Sequence, residues 1–472
     1  MRRFLLPEFL MTDAELAFLS WLAAEEKQRQ KDIVLARNYY EGVQGTELSA
    51  RMLEVLNAKK DHEFNFNVCR GVISAVEERL IINEIDTDEI GDDVTSLNLW
   101  ANSVWDASKG DIVHATVHEG ALRDGEYFII VDWDDELQMP VFIPHQRFAD
   151  ATVNGDGFGC KAHYPDDDTN LPMEYASKRW IERIDQHTTK NRMNLYYPDR
   201  VEKYEHNGAD WVAFQAQGEP WPIPRVDSAG NPLGIQVIHF RNTADIRPEH
   251  WDAIPLQRGL IKLVIDLLAA GDFAGFKLLV AFGWQPDANT KVAPGQIFGS
   301  QRTKNEASLE AIDASDLNQL VDSIQAMVGW VSVTTSTPAS KLAFSAQVQS
   351  EGSQQEQKEG LFAKTRRRQN LYNDAWIQCF EMARTLQNTF GQAVDEEPSF
   401  VPMWEPLQSR DTQDERDEWR AKKDLGVPLE QLWSEMGYSA EQIQAMKQTE
   451  EYKARISLMT LGLGSDGEED AG

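Results

Sequence analysis

Apolar residues recur at helical spacing along one unusually long stretch in the last third of the chain. These positions are Tyr372, Trp376, Cys379, Ala383, Leu386 and Phe390. Ser353 and Glu356 have the spacing of an N-terminal capping box, Gly391 stands where a C-terminal cap belongs, and no proline lies between. The pattern predicts one helix of about 38 residues and roughly 57 Å. Because it is too polar to cross a membrane, it should lie across a large body or against neighbouring subunits.

Two strongly apolar helices are predicted before this long helix. The first begins at Pro255, and its apolar residues almost surround it: Leu256, Leu260, Ile261, Leu263, Val264, Ile265, Leu267 and Leu268. The second covers about 316–330, with the stripe Leu317, Leu320, Val321, Ile324, Met327 and Val328. A helix that is apolar on all sides is buried in a core or between subunits. The segment 276–312 predicts a small α/β insertion, and a polar loop follows Pro338.

The first half of the chain changes from helical to strand periodicity. Helices are predicted at about 12–40, 68–82 and 97–123. Strands are predicted at Tyr127–Val131 and Met139–Ile143, and a β meander at 150–240, with Asn207-Gly208 as a hairpin turn. Near the C-terminus, short helices are predicted from Pro428 to Gly437 and from Ser439 to Leu458, followed by a disordered tail at Gly464–Gly472.

Composition narrows the possible functions. A chain of 472 residues is long enough for two to four domains, and its formal net charge is −31. This charge excludes nucleic-acid binding through a general basic surface, so any DNA contact should be local or weak. The three cysteines are widely separated, which disfavours disulfides and zinc knuckles and fits a reducing cytoplasm. No signal peptide or membrane-spanning segment is expected.

Two groups of residues could carry metal chemistry. His114 and His118 lie four apart on a predicted helix, and Asp132, Asp134, Asp135 and Glu136 form an acidic run. Together they define one hypothesis, a metal-dependent hydrolase or nuclease. Packing histidines and a charged turn explain the same residues more simply. No P-loop, nucleophile elbow or dinucleotide fingerprint is present, and Arg366-Arg367-Arg368 is better explained by ion pairing than by phosphate binding.

The order of these parts resembles the portal proteins of tailed phages, of the type found in siphophages. The motifs that carry the resemblance are Arg37-Asn38-Tyr39-Tyr40-Glu41-Gly42, Asn67-Val68 through Leu80, Ala121 through Val131, Ser350-Glu351-Gly352-Ser353, and Gly426-Val427-Pro428 through Ser439. Each motif is weak alone, but their order and spacing from about 20 to 460 are fairly specific.

The resemblance implies an α+β portal fold divided into named regions. These are an α/β wing (1–254), a stem helix (255–272), a small α/β clip (273–313), a second stem helix (314–333), a tunnel loop (334–352), a spine helix of the wing (353–406), a helical crown (407–460) and an acidic tail (461–472). On this basis Leu256, Leu260, Ile261, Val264, Leu317, Leu320 and Ile324 are expected to pack between subunits, and Thr335, Ser336, Thr337 and Lys341 to line the DNA channel.

The resemblance also implies a function and its partners. We expect a ring of twelve at one capsid vertex of the virion, assembled in the host cytoplasm, through which double-stranded DNA is packaged and ejected. The expected partners are the terminase large subunit, a head-tail adaptor, and the major capsid and scaffolding proteins. No catalysis, metal, cofactor or membrane contact is expected. A capsid or tail scaffold protein that never touches DNA is a further alternative, and the position of the tunnel loop separates the two.

Overall fold

The computed structural model describes most of the chain. The described residues are 13–28, 30–43, 67–87, 95–148, 159–186, 188–216, 218–275, 278–282, 308–312, 317–342, 351–395, 397–407, 419–423, 425 and 427–435, with single positions or short stretches at 443, 446–449 and 452–453. They form a mixture of helices and mainly antiparallel strands, which confirms the α+β class at that level.

The chain divides into two compact units. The first, called the sheet unit here, comprises Met1–Ile33, Val76–Pro248 and Phe362–Gly472. The second, called the helix-pair unit, comprises Val34–Ala75 and Glu249–Leu361.

The N-terminal helices follow the predictions, with one break at Lys109. They are α1 (Asp13–Gln28), α2 (Gln30–Glu41), α3 (Cys69–Glu77), then strand β1 (Ile82–Thr87), α4 (Ser96–Ala107) and α5 (Gly110–Asp124). The predicted helix 97–123 is two helices because Lys109 adopts a left-handed conformation, φ 55°. Gly110 follows it, and a Cβ there would lie 2.0 Å from the Trp105 ring, so only glycine permits this tight turn.

Two antiparallel sheets form the body of the sheet unit. Their strands are β2 (Glu126–Asp134), β3 (Met139–Gln146), β4 (Gly159–His163), β5 (Tyr175–Arg183), β6 (Thr189–Tyr196), β7 (Arg200–His206), β8 (Trp211–Ala213), β9 (Ile223–Pro224) and β10 (Val237–Arg241). One sheet has the order β10-β2-β3; the other has the order β4-β5-β6-β7-β8, with β9 paired to β7. The predicted meander and the turn at Gly208, φ 103°, are confirmed.

The two sheets pack face to face through an apolar layer. Phe128 and Ile130 of the three-stranded sheet meet Cys160, Ala176 and Tyr196 of the six-stranded sheet. The alternation of side chains along each strand explains this, since every second residue of β2 and of β5 points into the layer.

The helix-pair unit is built around two antiparallel helices. Its elements are α6 (Ile254–Gly275), the antiparallel strand pair β11 (Leu278–Phe282) and β12 (Ser308–Ile312), α7 (Leu317–Thr335) and α8 (Ala339–Leu342). Ile254 near the start of α6 shares a core cluster with Val331 near the end of α7. A Cβ at Gly259 would lie 2.6 Å from Met327, so the glycine allows the two helices to approach closely.

The long helix α9 (Glu351–Phe390) has 40 residues and confirms the main helical prediction. It begins two residues before Ser353, so the predicted capping box lies inside the helix and that detail is wrong. Strand β13 (Phe400–Trp404) follows and pairs with β1. Neither strand was expected. The helix predicted from Pro428 is confirmed as α10 (Leu429–Glu435).

Some predictions fall outside the described residues. These are the second half of the loop before α9 at 343–350, most of the helix predicted from Ser439 to Leu458, and the acidic tail. Among the helices that the structure describes, none combines the length and the apolar character that crossing a membrane requires.

Candidate functional site

The helix pair α6 and α7 holds all seven residues assigned to subunit packing. Leu260 and Ile261 are buried within the chain itself, at 0% and 4% exposure. The expectation that they contact a neighbouring subunit is therefore wrong, because they already pack in the core that α6 forms with α7. Leu256, Val264, Leu317, Leu320 and Ile324 are half-buried. Of these, Leu256 and Ile324 pack against the same core cluster.

A second apolar face of α7 was not predicted. Trp330 is 60% exposed and Val333 is 82% exposed. At 100° per residue these two lie on the side of α7 opposite the buried Val328 and Val331. The sequence pattern did not show this face, because the predicted helix stopped at 330 and its core stripe alone explained the periodicity. A large exposed tryptophan next to an exposed valine is the composition of a contact surface.

The segment after α7 is a compact turn. Ser336 has φ 50°, and the Thr337 backbone N–H donates to the Ser332 carbonyl at 3.0 Å. This is the hydrogen-bond pattern of a Schellman cap with serine at the position that glycine usually occupies. Proline at 338 then prevents the helix from continuing.

The predicted channel residues separate into two groups in this turn. Thr335 and Thr337 are 6% and 1% exposed, and their hydroxyl oxygens lie 3.0 Å apart. Since both side chains are enclosed, the expectation that they line a channel is wrong. Ser336 and Lys341 are exposed, with Lys341 on the short helix α8. The structure therefore leaves these two as the candidates from this set.

The motif around Tyr39 and Tyr40 anchors the start of the helix-pair unit. Both tyrosines are buried, and the Tyr40 carbonyl accepts a hydrogen bond from Asn67 Nδ2 at 2.8 Å. Gly42 has φ 72°, and the Val43 N–H donates to the Asn38 carbonyl at 2.9 Å. The motif thus ends α2 and ties it to the residues before α3, a structural role.

The histidine pair of the metal hypothesis lies in an aromatic core. His118 is fully buried, with Nδ1 2.9 Å from the Leu80 carbonyl and Nε2 accepting from Trp376 Nε1–H at 3.0 Å. Burial lowers the pKa of His118 to about 3, and the nearby His114 adds to the effect. His114 places Nδ1 3.0 Å from the Gly110 carbonyl. Both nitrogens of His118 are used in packing, so it has no lone pair left for a metal.

The acidic run is a tight turn, as the simpler interpretation predicts. Asp134 Oδ1 accepts hydrogen bonds from the backbone N–H groups of Glu136 and Leu137 at 2.8 and 2.9 Å. Gln138 closes the turn with φ 55°. No group of three or more His, Cys, Asp or Glu side chains in the described part of the chain is arranged to hold a metal ion. The hydrolase hypothesis thus finds no support at its own residues.

The arginine run lies on the first half of α9 within the sheet unit. Arg366 and Arg367 are exposed, while Arg368 is half-buried. The ion pairing predicted for the run is not seen for Arg366 and Arg367 among the described residues.

Comparison with known proteins adds no further assignment. No protein-family profile matches the chain, and no curated protein matches it.

Proposed function

We propose that this protein is the portal of a tailed phage. In this role it forms a ring of twelve at one capsid vertex and provides the channel through which double-stranded DNA is packaged and ejected. It docks the terminase large subunit and the head-tail adaptor, and it assembles with capsid and scaffolding proteins. The observation that carries the proposal is the exposed apolar face of α7, on a helix pair that has an antiparallel strand pair between its helices in the chain and a 40-residue helix after it.

The exposed face supports assembly into a closed ring. Trp330 and Val333 lie on the side of α7 turned away from α6, and both stay largely exposed among the described residues of the helix-pair unit. A surface patch that meets a different patch on the next copy gives a head-to-tail contact, and such contacts close into rings when the rotation permits. Tryptophan is the residue type that most often dominates interface energy. We therefore assign Trp330 as the anchor of this contact.

The charge of the chain supports a conduit rather than a clamp. Each Lys or Arg contact with a phosphate releases counterions and strengthens binding, so a sliding duplex requires few such contacts. A chain with a net charge of −31 meets this requirement. Lys341, exposed on α8, would contribute one positive side chain per subunit to the channel wall.

Averaged electron micrographs of the purified full-length chain test the proposal. We expect top views of a ring with twelve subunits and a central opening. Compact particles without an opening would instead indicate the scaffold alternative and would contradict a DNA conduit.

The role of Lys341 has a separate test. Particles carrying Lys341→Ala should package DNA at a changed rate or density, with Lys358→Ala, also exposed, as the matched control. Normal packaging by Lys341→Ala would remove this residue from the channel mechanism.

A further inference from the structure

The first half of α9 presents two arginines side by side on an exposed stripe. The stripe consists of Ala363, Arg366, Arg367 and Asn370, all exposed. Their spacing of three and four residues places them on one face of the helix. Thr365 and Tyr372, on the other side of this part of the helix, are fully buried in the chain. The two arginine side chains therefore extend into solvent from a helix that is fixed on its other side.

Neither arginine has an acidic neighbour along the helix. Side chains on a helix surface meet at spacings of three and four residues. At those spacings from Arg366 and Arg367 stand Phe362, Ala363, Lys364, Gln369, Asn370 and Leu371. Both arginines also lie at least about four turns from either end of α9, beyond the last turn in which a cation stabilises the terminal carbonyls. Ion pairing within the helix and capping are therefore excluded as their roles.

Other arginines of the sheet unit pair with carboxylates of the same chain. Arg147 Nε lies 2.7 Å from Glu126 Oε1, and Arg200 Nε lies 2.7 Å from Glu202 Oε1. Arg366 and Arg367 have no such carboxylate among the residues that the structure describes. The ion pairing that the sequence predicts for the arginine run thus requires acidic groups from elsewhere.

A second copy of this chain offers such acidic groups in excess. The sheet unit carries 33 basic and 59 acidic residues, and Asp135, Glu136 and Asp166 are examples of exposed carboxylates. Two cations on one copy complement this surface on another, and they lower the repulsion between two acidic units. Arginine suits such a contact, because its planar guanidinium binds a carboxylate through two parallel hydrogen bonds.

We propose that Arg366 and Arg367 bind carboxylates of a second copy of this chain and stabilise its assembly. The inference rests on the proposed function and deepens it: Trp330 anchors the ring contact through apolar burial, and the arginine pair adds a charged contact from the sheet unit. Because salt screens charges that are partly exposed, this contact makes assembly depend on ionic strength.

Sedimentation velocity of the full-length chain over a series of concentrations tests the contact. Arg366→Glu/Arg367→Glu should raise the concentration of half-assembly about tenfold or more, because it places carboxylates against carboxylates. Arg366→Lys/Arg367→Lys keeps both charges and should assemble within about threefold of the wild-type concentration. Raising the ionic strength from about 0.05 M to about 0.5 M should weaken the assembly of the wild type more than that of the glutamate variant.

Lys109→Glu/Arg183→Glu is the matched control. It reverses two exposed cations elsewhere in the sheet unit and changes the net charge by the same amount. This control should assemble at close to the wild-type concentration. Equal weakening in the control and in Arg366→Glu/Arg367→Glu would overturn the proposal, because it would reflect the net charge of the chain and not a contact at α9.

Other results would also overturn the proposal. Normal assembly of Arg366→Glu/Arg367→Glu would exclude the contact and leave the proposed ring intact. If that normal assembly came with weaker binding of a short DNA duplex, the pair would belong to phosphate recognition. If it came with a lower melting temperature, the pair would bind acidic groups of its own chain. A wild type that stays a single chain at micromolar concentrations would contradict the contact and the ring together.

Discussion

The two units of this protein differ most clearly in charge. The sheet unit carries 33 basic and 59 acidic residues, and the helix-pair unit carries 13 basic and 18 acidic residues. The net charge of −31 is therefore concentrated in the sheet unit, while the helix-pair unit is close to balanced. Copies of a strongly acidic unit repel one another, so contacts between copies are favoured where the charge is low and apolar surface is exposed.

One tryptophan from each unit makes a second comparison. In the sheet unit Trp376 is fully buried, with ring centroids 5.1 to 6.1 Å from those of Phe240, Trp105 and Phe142. In the helix-pair unit Trp330 is 60% exposed. Trp376 therefore stabilises the core of the sheet unit, whereas the Trp330 side chain is available to contact a partner.

Replacing each tryptophan by alanine sharpens this comparison and should give the largest effects. Trp376→Ala should lower the free energy of unfolding by about 3 to 5 kcal/mol, because it opens a cavity and removes the N–H that His118 accepts. Trp330→Ala should change the unfolding free energy of the unassembled chain by less than about 0.5 kcal/mol. Urea denaturation at concentrations below assembly measures both. Equal losses in the two variants would break the proposed division of roles.

Acid should destabilise the sheet unit through its buried histidines. The pKa of His118 is 6.5 when unfolded and about 3 when folded, so between these values the unfolded chain binds a proton that the folded chain does not. The unfolding free energy should therefore fall as pH drops below about 6.5, by about 1.4 kcal/mol per pH unit for this group.

The variant His118→Gln isolates that contribution. Its unfolding free energy, measured by urea denaturation from pH 6 to pH 4, should fall less steeply than that of the wild type by about the same 1.4 kcal/mol per pH unit. His145, whose pKa is also lowered to about 3, contributes to both proteins and cancels in the difference. Parallel curves for the two proteins would show that His118 does not titrate in this way.

Close packing of α5 on β2 should make a small substitution costly. A Cβ at Gly120 would lie 2.1 Å from the Tyr127 ring, which is itself buried. Gly120→Ala should therefore cost about 1 to 3 kcal/mol from overpacking, although alanine is the better helix former. Thermal denaturation compares it with Gly271→Ala on α6, where a Cβ meets nothing within 4 Å and the change should stabilise the chain. Stabilisation by Gly120→Ala would show that the Tyr127 ring moves to make room for the added methyl group.

The smallest predicted effect concerns the cap of α7. Ser336 adopts a left-handed conformation with φ 50°. This conformation is unfavourable for residues with a Cβ atom but not for glycine. Ser336→Gly should therefore raise the unfolding free energy of the helix-pair unit by about 0.5 kcal/mol. Differential scanning calorimetry at a fixed protein concentration measures the shift, and a lower transition temperature would contradict the account of the cap.

Helices and strands whose apolar residues recur with a regular period could be predicted from the sequence. The long helix α9 and the pair α6 and α7 follow directly from 3.6-residue periodicity, and the strands of the meander follow from turn residues such as Asn207-Gly208. Strand β1 was missed because a register shift between Ile82 and Glu84 interrupts its alternation, and because its partner β13 is about 300 residues away.

The sites were harder to predict than the elements. In the sequence, Thr335 and Thr337 resemble polar loop residues. Their side chains are buried because the chain turns at Ser336, and the sequence does not reveal this turn. The contact between His145 and Lys178 joins two strands that are far apart along the chain, so no local spacing could reveal it. Contacts of this kind depend on how the sheets pack, which periodicity does not encode.

Native mass spectrometry of the full-length chain, beside its Trp330→Glu variant, tests the central proposal most directly. The wild type should give a particle of twelve 53.6 kDa chains, and the variant should give the single chain, because a charge replaces the apolar anchor of the ring contact. A wild type that remains at 53.6 kDa at micromolar concentrations, or a variant that assembles as well as the wild type, would contradict the account.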